Sequence, residues 1–354
     1  MSGGACSGSL TSSRRTGRRS SRPVPGWYNS VKEREMETVW DILSMGECMV
    51  EFFPDPPGAE TYRRSFGGDT FNTIAMATKL GSRCAYLTRI ADDFFGEFLR
   101  RSLSGVGVDL TPTVFCSGYN GIYFIAVDQS GERRFQYFRT GSAASHLSAR
   151  DVESRWIAQT RLFFTSGITQ AISSTAADAV QQACSLAHAR GKLVAFDVNF
   201  RPRLWTAEQA ARHLRAIASW IQILFLSATD IPVVQTALQV RSDTVEALLD
   251  ACWQQGISRV VIKQGEKGVL LGEAATGQIT AVRPFTGKVV DTSGAGDTFN
   301  GAFLHSFLQG KSAIECARWG VAAAALKVGR PGTVSAMPTA QEVEAVVDRV
   351  VVEE

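Results

Sequence analysis

Short apolar runs alternate with longer stretches of helical period. Asp41–Gly46 reads as a first strand, and Asn72–Leu80 as a helix stopped by Gly81. Cys84–Ile90 reads as a strand and Phe94–Leu103 as a helix. Arg161–Gly167 is a buried strand, Ser174–Arg190 a helix closed by Gly191, and Lys192–Asp197 a strand again. Helix 206–220, strand 222–227, helix 243–255 and strand 258–263 continue the scheme. Strands alternating with helices predict βαβ units, hence a mostly parallel sheet covered by helices on both faces. Right-handed crossovers follow from strand twist. The fold class is α/β, of Rossmann type.

Residues 112–139 break the rhythm. They alternate in polarity and carry turn signals at Ser117–Gly118 and Ser130–Gly131. With part of 47–66 they predict a small antiparallel sheet standing off the main domain. Neither an internal repeat nor a linker is visible inside 36–354, which reads as one domain with a β extension.

Composition changes the picture mainly at the N-terminus. The chain of 354 residues has a formal charge of +3, from 37 basic and 34 acidic residues. Five arginines (Arg14, Arg15, Arg18, Arg19, Arg22) and no acid fall in residues 1–31, and the four charges of 32–35 cancel. Taking those five from +3 leaves −2 for residues 36–354. A mildly acidic body argues against a nucleic-acid-binding face. The Ser/Gly/Arg-rich segment 1–35 reads as a disordered tail. It is either an organelle transit segment or the product of a start placed upstream of Met36. The seven cysteines show no CxxC spacing and the four histidines no HxxxH pair, so neither a zinc site nor a disulfide framework is expected, and a reducing, cytoplasmic setting is. No apolar run is long enough to span a membrane.

The strongest chemical signal is Asp291-Thr-Ser-Gly-Ala-Gly-Asp297-Thr-Phe-Asn-Gly301. A Gly-rich turn there leads into an apolar helix. Small residues bring backbone N–H groups close to an anion, and the helix dipole favours negative charge at that end. Asp297 at the same terminus suits a general base placed beside a phosphate in transfer, with Gly294, Ala295 and Gly296 holding the developing charge. The plainer reading is a capped turn. No GxxxxGK[ST] occurs, which disfavours a P-loop enzyme. A second Gly-rich segment, Phe66-Gly-Gly-Asp-Thr-Phe-Asn72, offers close backbone approach at Gly68, and hydroxyl partners at Asp69 and Asn72.

These two segments, in this order, resemble the C-terminal and N-terminal signatures of the PfkB/ribokinase family of carbohydrate kinases. The resemblance covers roughly 40–340. It implies a Rossmann-like domain with a β-sheet lid, and ATP-dependent phosphorylation of a sugar hydroxyl with Asp297 as base. Lys263-Gln-Gly265-Glu-Lys-Gly268 resembles the family's segment beside the nucleotide, although alone it is also a plain hairpin turn. Gly294 and Gly296 then serve ATP as well. Mg²⁺ is expected on the nucleotide phosphates, and the resemblance leaves room for a monovalent cation such as K⁺ near Asp291. The family's NxxE segment is missing: Ser227-Ala-Thr-Asp230-Ile231 stands in its place, so no metal ligand is assigned, with Asp230 the nearest carboxylate.

Three segments narrow the substrate. Tyr137 and Arg139, two apart in a strand, point to one face, where an Arg fork and a phenol suit a carboxylate. Asp197-Val-Asn199-Phe-Arg201-Pro-Arg203 follows a strand, where ligands bind open α/β sheets. It offers Arg201 to substrate or phosphate and Asn199 to the nucleotide. Tyr123 lies on the preceding lid strand. Together these resemble 2-keto-3-deoxygluconate kinases, which implies phosphorylation of the terminal hydroxyl of a 2-keto-3-deoxy sugar acid. A fructokinase or ribokinase acting on a neutral sugar, and a non-catalytic binding or scaffold protein of the same fold, remain as alternatives. A homo-oligomer through the lid is allowed by the resemblance; nucleic acid and membrane partners are not expected.

Overall fold

The computed structural model describes residues 38–55, 59–127 and 133–353, together with Met1, Gly3 and Gly4. The contact pattern separates Met1–Glu35 from Met36–Glu354, and everything below concerns the second unit. Apart from Met1, Gly3 and Gly4, the tail expected over 1–35 lies outside the described residues, as does the turn expected at Ser130–Gly131.

The strands in chain order are β1 (Trp40–Met45), β2 (Met49–Pro54), β3 (Tyr62–Gly67), β4 (Cys84–Leu87) and β5 (Arg89–Ala91). β6 (Val114–Cys116), β7 (Ile122–Val127), β8 (Arg133–Phe138), β9 (Thr160–Ser166) and β10 (Leu193–Asp197) follow. The last five are β11 (Ile223–Ser227), β12 (Arg259–Lys263), β13 (Val269–Glu273), β14 (Gln278–Arg283) and β15 (Val351–Glu353). The large sheet runs β15-β14-β13-β12-β11-β10-β9-β1-β4. From β4 to β12 every pairing is parallel, whereas β12 to β15 are antiparallel.

Alternation decides which side chains face which helices, because successive residues of a strand point to opposite faces. Ile42, Leu162, Phe164, Ala195, Phe225 and Val261 join one core with Phe71, Phe303 and Ala317 from helices. Leu43, Met45, Phe163, Val194, Phe196, Leu224 and Ile262 join the other core with Val180, Leu214 and Leu249. A strand buried on both faces has no polar side, which explains the continuous apolar runs in the sequence.

The smaller sheet runs β3-β2-β7-β8. Three expectations need correction here. Val114–Cys116 lies outside this sheet; it pairs in parallel with β5. The predicted strand Cys84–Ile90 breaks at Thr88, so its second half leaves the main sheet to meet β6, with Val114 N donating to the Thr88 carbonyl. The sheet is also not purely antiparallel, since β2 and β7 run parallel.

Two helices place the site. Asp69–Lys79 begins three residues before the predicted start, with Gly68 as its N-cap. Ala295–Leu308 follows Gly294, whose φ of 70° is the left-handed conformation that favours glycine. The helices touch at Gly301, where a Cβ atom would lie 2.2 Å from the Thr73 carbonyl oxygen. That glycine sets how closely the two N-termini approach.

Candidate active site

The parallel strands end, and these two helices begin, at one edge of the sheet, as expected for an open α/β fold. Asn72 is buried, and its Nδ2 donates to Asp297 Oδ2 at 2.8 Å across 225 residues of sequence. Beside it, Asn199 Nδ2 donates to Asp69 Oδ2 at 2.9 Å. Asn199 has a φ of 38°, rare outside glycine and tolerated by Asn. Asn199, expected beside the nucleotide, gives its amide to Asp69, whose charge in turn acts on Asp297.

A third carboxylate completes the floor. Asp197, at the end of β10, accepts from Lys263 Nζ at 2.7 Å and from Asn300 Nδ2 at 2.6 Å through one oxygen. Its Oδ1 is buried with no hydrogen-bond partner among the described residues. Lys263 ends β12, and a Cβ at Gly296 would be 3.5 Å from its ammonium, so the lysine lies directly under the helix N-terminus.

Asp69 and Asp297 are buried near other carboxylates, which disfavours their charged forms. Burial, then the charge of Asp69, pushes the Asp297 carboxyl up to about 7. Burial and then Asp197 likewise raise Asp69, which the Ser166 hydroxyl and the Asn199 amide oppose. A carboxylate poised near neutrality at a helix N-terminus fits a proton acceptor.

The small sheet overhangs this floor. The Tyr137 phenol is raised by burial and lowered by Arg139, Arg201 and Arg203, with Asp69 acting against them, so all four charges lie around it. Arg201 is exposed and donates to the carbonyl of its own neighbour, Phe200, at 3.4 Å. Arg203 Nη1 donates to the Phe135 carbonyl at 3.3 Å, joining this loop to β8. Arg139, expected to meet a substrate carboxylate, already has a carboxylate partner within the chain. Its guanidinium forms an ion pair with Glu47, whose side chain is 2% exposed. Tyr123 is buried and donates its hydroxyl to Glu51, so it supports β8 from below. Gly265 and Gly268 turn the chain from β12 into β13, with Gln264 N donating to the Gly268 carbonyl.

The model of the pfkB family carbohydrate kinases matches residues 40–340. The chain belongs to the pfkB family of carbohydrate kinases. A 2-dehydro-3-deoxygluconokinase of Dickeya dadantii is 34% identical over 300 residues, covering 80% of this chain and 93% of that protein. Fructokinase-2 of Solanum habrochaites is 27% identical over 316 residues, covering 85% and 94%. A crystal structure of an E. coli protein described as ribokinase II, in complex with ATP and Mg²⁺, superposes with a TM-score of 0.79 at 23% identity, covering 88% and 100%.

Beyond the family signatures lie residues that the sequence reading did not single out. Asp197 and Asn300 hold Lys263, and Glu47 and Glu51 hold Arg139 and Tyr123. Asp230, the carboxylate nearest the missing NxxE segment, has a structural part as well. It accepts from Phe200 N at 2.9 Å and from Ser227 N and Oγ at 2.6 Å, so it staples β11 to the Asn199–Arg201 loop. Its hint in the sequence was Ser-x-x-Asp, a capping box. Among the described residues no helix is long and apolar enough to cross a membrane.

Proposed function

We propose that this carbohydrate kinase transfers the γ-phosphoryl group of ATP to the terminal hydroxyl of a 2-keto-3-deoxy sugar acid, with 2-keto-3-deoxygluconate the first choice. The observation that carries the reading is the meeting of Asp297, Asn72 and Asp69 beneath a roof of three arginines and a phenol. The acids suit the hydroxyls of a sugar, and Arg201, Arg139 and Tyr137 suit a carboxylate that a neutral sugar lacks.

In this reading Asp297 accepts the proton of the attacking hydroxyl, and Asn72 holds the carboxylate in place. The new bond forms between that oxygen and the γ-phosphorus as the bond to the β-phosphate oxygen breaks, and ADP leaves. Backbone N–H groups of Gly294, Ala295 and Gly296, with Lys263 below them, bear the charge on the moving phosphoryl group. The glycines at 265 and 268 border the nucleotide. Lid closure by the small sheet excludes water. Mg²⁺ supplies charge neutralisation on the phosphates. No group of three metal-ligating side chains occurs among the described residues, and Asp230 is already bonded, which suits an ion held by phosphates and water.

A fructokinase-like activity is the second reading, favoured by one observation: Glu47 already neutralises Arg139. An ATP-consumption assay over a panel of 2-keto-3-deoxy acids, fructose and ribose tests both. The expected outcome is kcat/KM at least about 100-fold higher for an acid. Equal use of fructose would overturn the carboxylate reading, and no turnover with any sugar would point to the binding-protein alternative.

A further inference from the structure

The resemblance left room for a monovalent cation near Asp291, and the residues there do not fit one. Lys327, in the last turn of helix Ala313–Val328, is fully buried. Its ammonium donates to the Asp291 main-chain oxygen at 2.7 Å and lies 3.7 Å from Asp291 Oδ1. A bare ion at this point would compete with that ammonium for the same two oxygens. The carboxylate also joins two turns: Ser293 N donates to Oδ1 and Gly332 N to Oδ2, both at 2.8 Å. The backbone N–H groups of Val290 and Asp291 both donate to the Val328 carbonyl.

A buried ammonium is costly unless it is paired. Here it meets a carboxylate and sits at the negative end of its own helix. Lys327 holds Asp291, the first residue of the Gly-rich segment, and so acts on that turn at its root. Gly294 is seated against Thr333, whose methyl group would be 2.5 Å from a Cβ at 294. The turns 291–294 and 330–333 therefore form one unit with Asp291 as their rivet.

We propose that Lys327 is a built-in monovalent cation. It is a positioning residue: its ammonium fixes Asp291, and Asp291 fixes the turn that presents Gly294–Gly296. The enzyme then needs no added K⁺. This rests on the reading of that turn as the phosphate cradle, which Asp297→Asn tests separately.

The test exchanges KCl for tetramethylammonium chloride at constant ionic strength, on wild type and on Lys327→Ala. Wild-type turnover is expected to stay flat. Lys327→Ala is expected to lose roughly 100-fold in kcat, with a much smaller change in sugar KM, through a misplaced turn. Added K⁺, ammonium or methylammonium is expected to restore kcat by filling the vacated space. Severalfold stimulation of the wild type by K⁺ overturns the proposal. So does a folded Lys327→Ala enzyme that is fully active without small cations, or that none of them rescues. Should the variant fail to fold, the wild-type exchange decides alone.

Discussion

The two sides of the site handle charge in opposite ways. At the transfer side Asp69, Asp197 and Asp297 converge with Lys263 as the cation bonded to one of them. At the acceptor-facing side Glu47 and Arg139 pair, and Tyr123 bonds Glu51. The first region is held away from its electrostatic optimum; the second is compensated. The difference teaches that a carboxylate under strain and a carboxylate in a pair look alike in sequence, yet removing them should move stability in opposite directions.

The largest effect is expected at Asp297. Asp297→Asn should lower kcat by about 10²–10⁴, the usual span for a lost general base. It should also stabilise the fold. The folded carboxyl titrates near 7, above its ordinary 3.8, so the wild type loses stability as pH rises from about 4 through about 7. At pH 8 the variant should then be more stable by roughly 2–4 kcal/mol, and below pH 4 the two should coincide. Thermal unfolding at both values measures this. In the wild type, kcat/KM should fall as pH drops below about 7. A variant that is no more stable at pH 8 would mean that the three acids are less strained than their geometry indicates.

A smaller loss is expected from Gly301→Ala, which attacks the meeting of the two helices without touching a charge. The added methyl group would lie 2.2 Å from the Thr73 carbonyl oxygen, a backbone atom with no room to yield. Overpacking of this kind costs typically 1–3 kcal/mol. Separating the helices also lengthens the Asn72–Asp297 bond, so kcat should drop by roughly 10–100-fold. Unfolding by urea together with kcat checks both. Lost stability with intact turnover would show that the helix contact does not set the site.

Much of the transfer side was legible because its parts lie close in sequence. Gly294, Gly296 and Asp297 sit within four residues, and the Gly67–Asn72 segment is as compact. The alternating strands and helices likewise exposed the parallel sheet through local pattern. What escaped depends on pairing across long separations. Glu47 meets Arg139, Asp197 meets Asn300, and Asp291 meets Lys327, each through folding alone. A lone lysine in the Ala-rich helix Ala313–Val328 was the visible trace of the last. The departure of Val114–Cys116 from the small sheet escaped for a similar reason. Strand character is local, whereas the choice of partner is not.

The smallest effect is the most informative about the compensated side. Arg139→Ala cannot separate recognition from support, since it strands Glu47 in the interior and should cost about 3–5 kcal/mol as well as raise KM. Glu47→Gln separates them. The amide oxygen still accepts from Ser142 Oγ, which donates to Glu47 Oε1 at 3.0 Å, while the negative charge that neutralises Arg139 is gone. If Arg139 faces the sugar-acid carboxylate, KM for the acid should fall by roughly twofold to fivefold, KM for ATP should stay put, and stability should drop by about 1–3 kcal/mol because Arg139 loses its counter-charge while the amide oxygen still accepts hydrogen bonds. If stability drops and neither KM moves, Arg139 is a buttress for β8, and recognition of the acid passes to Arg201, Arg203 and Tyr137, which are exposed on that face.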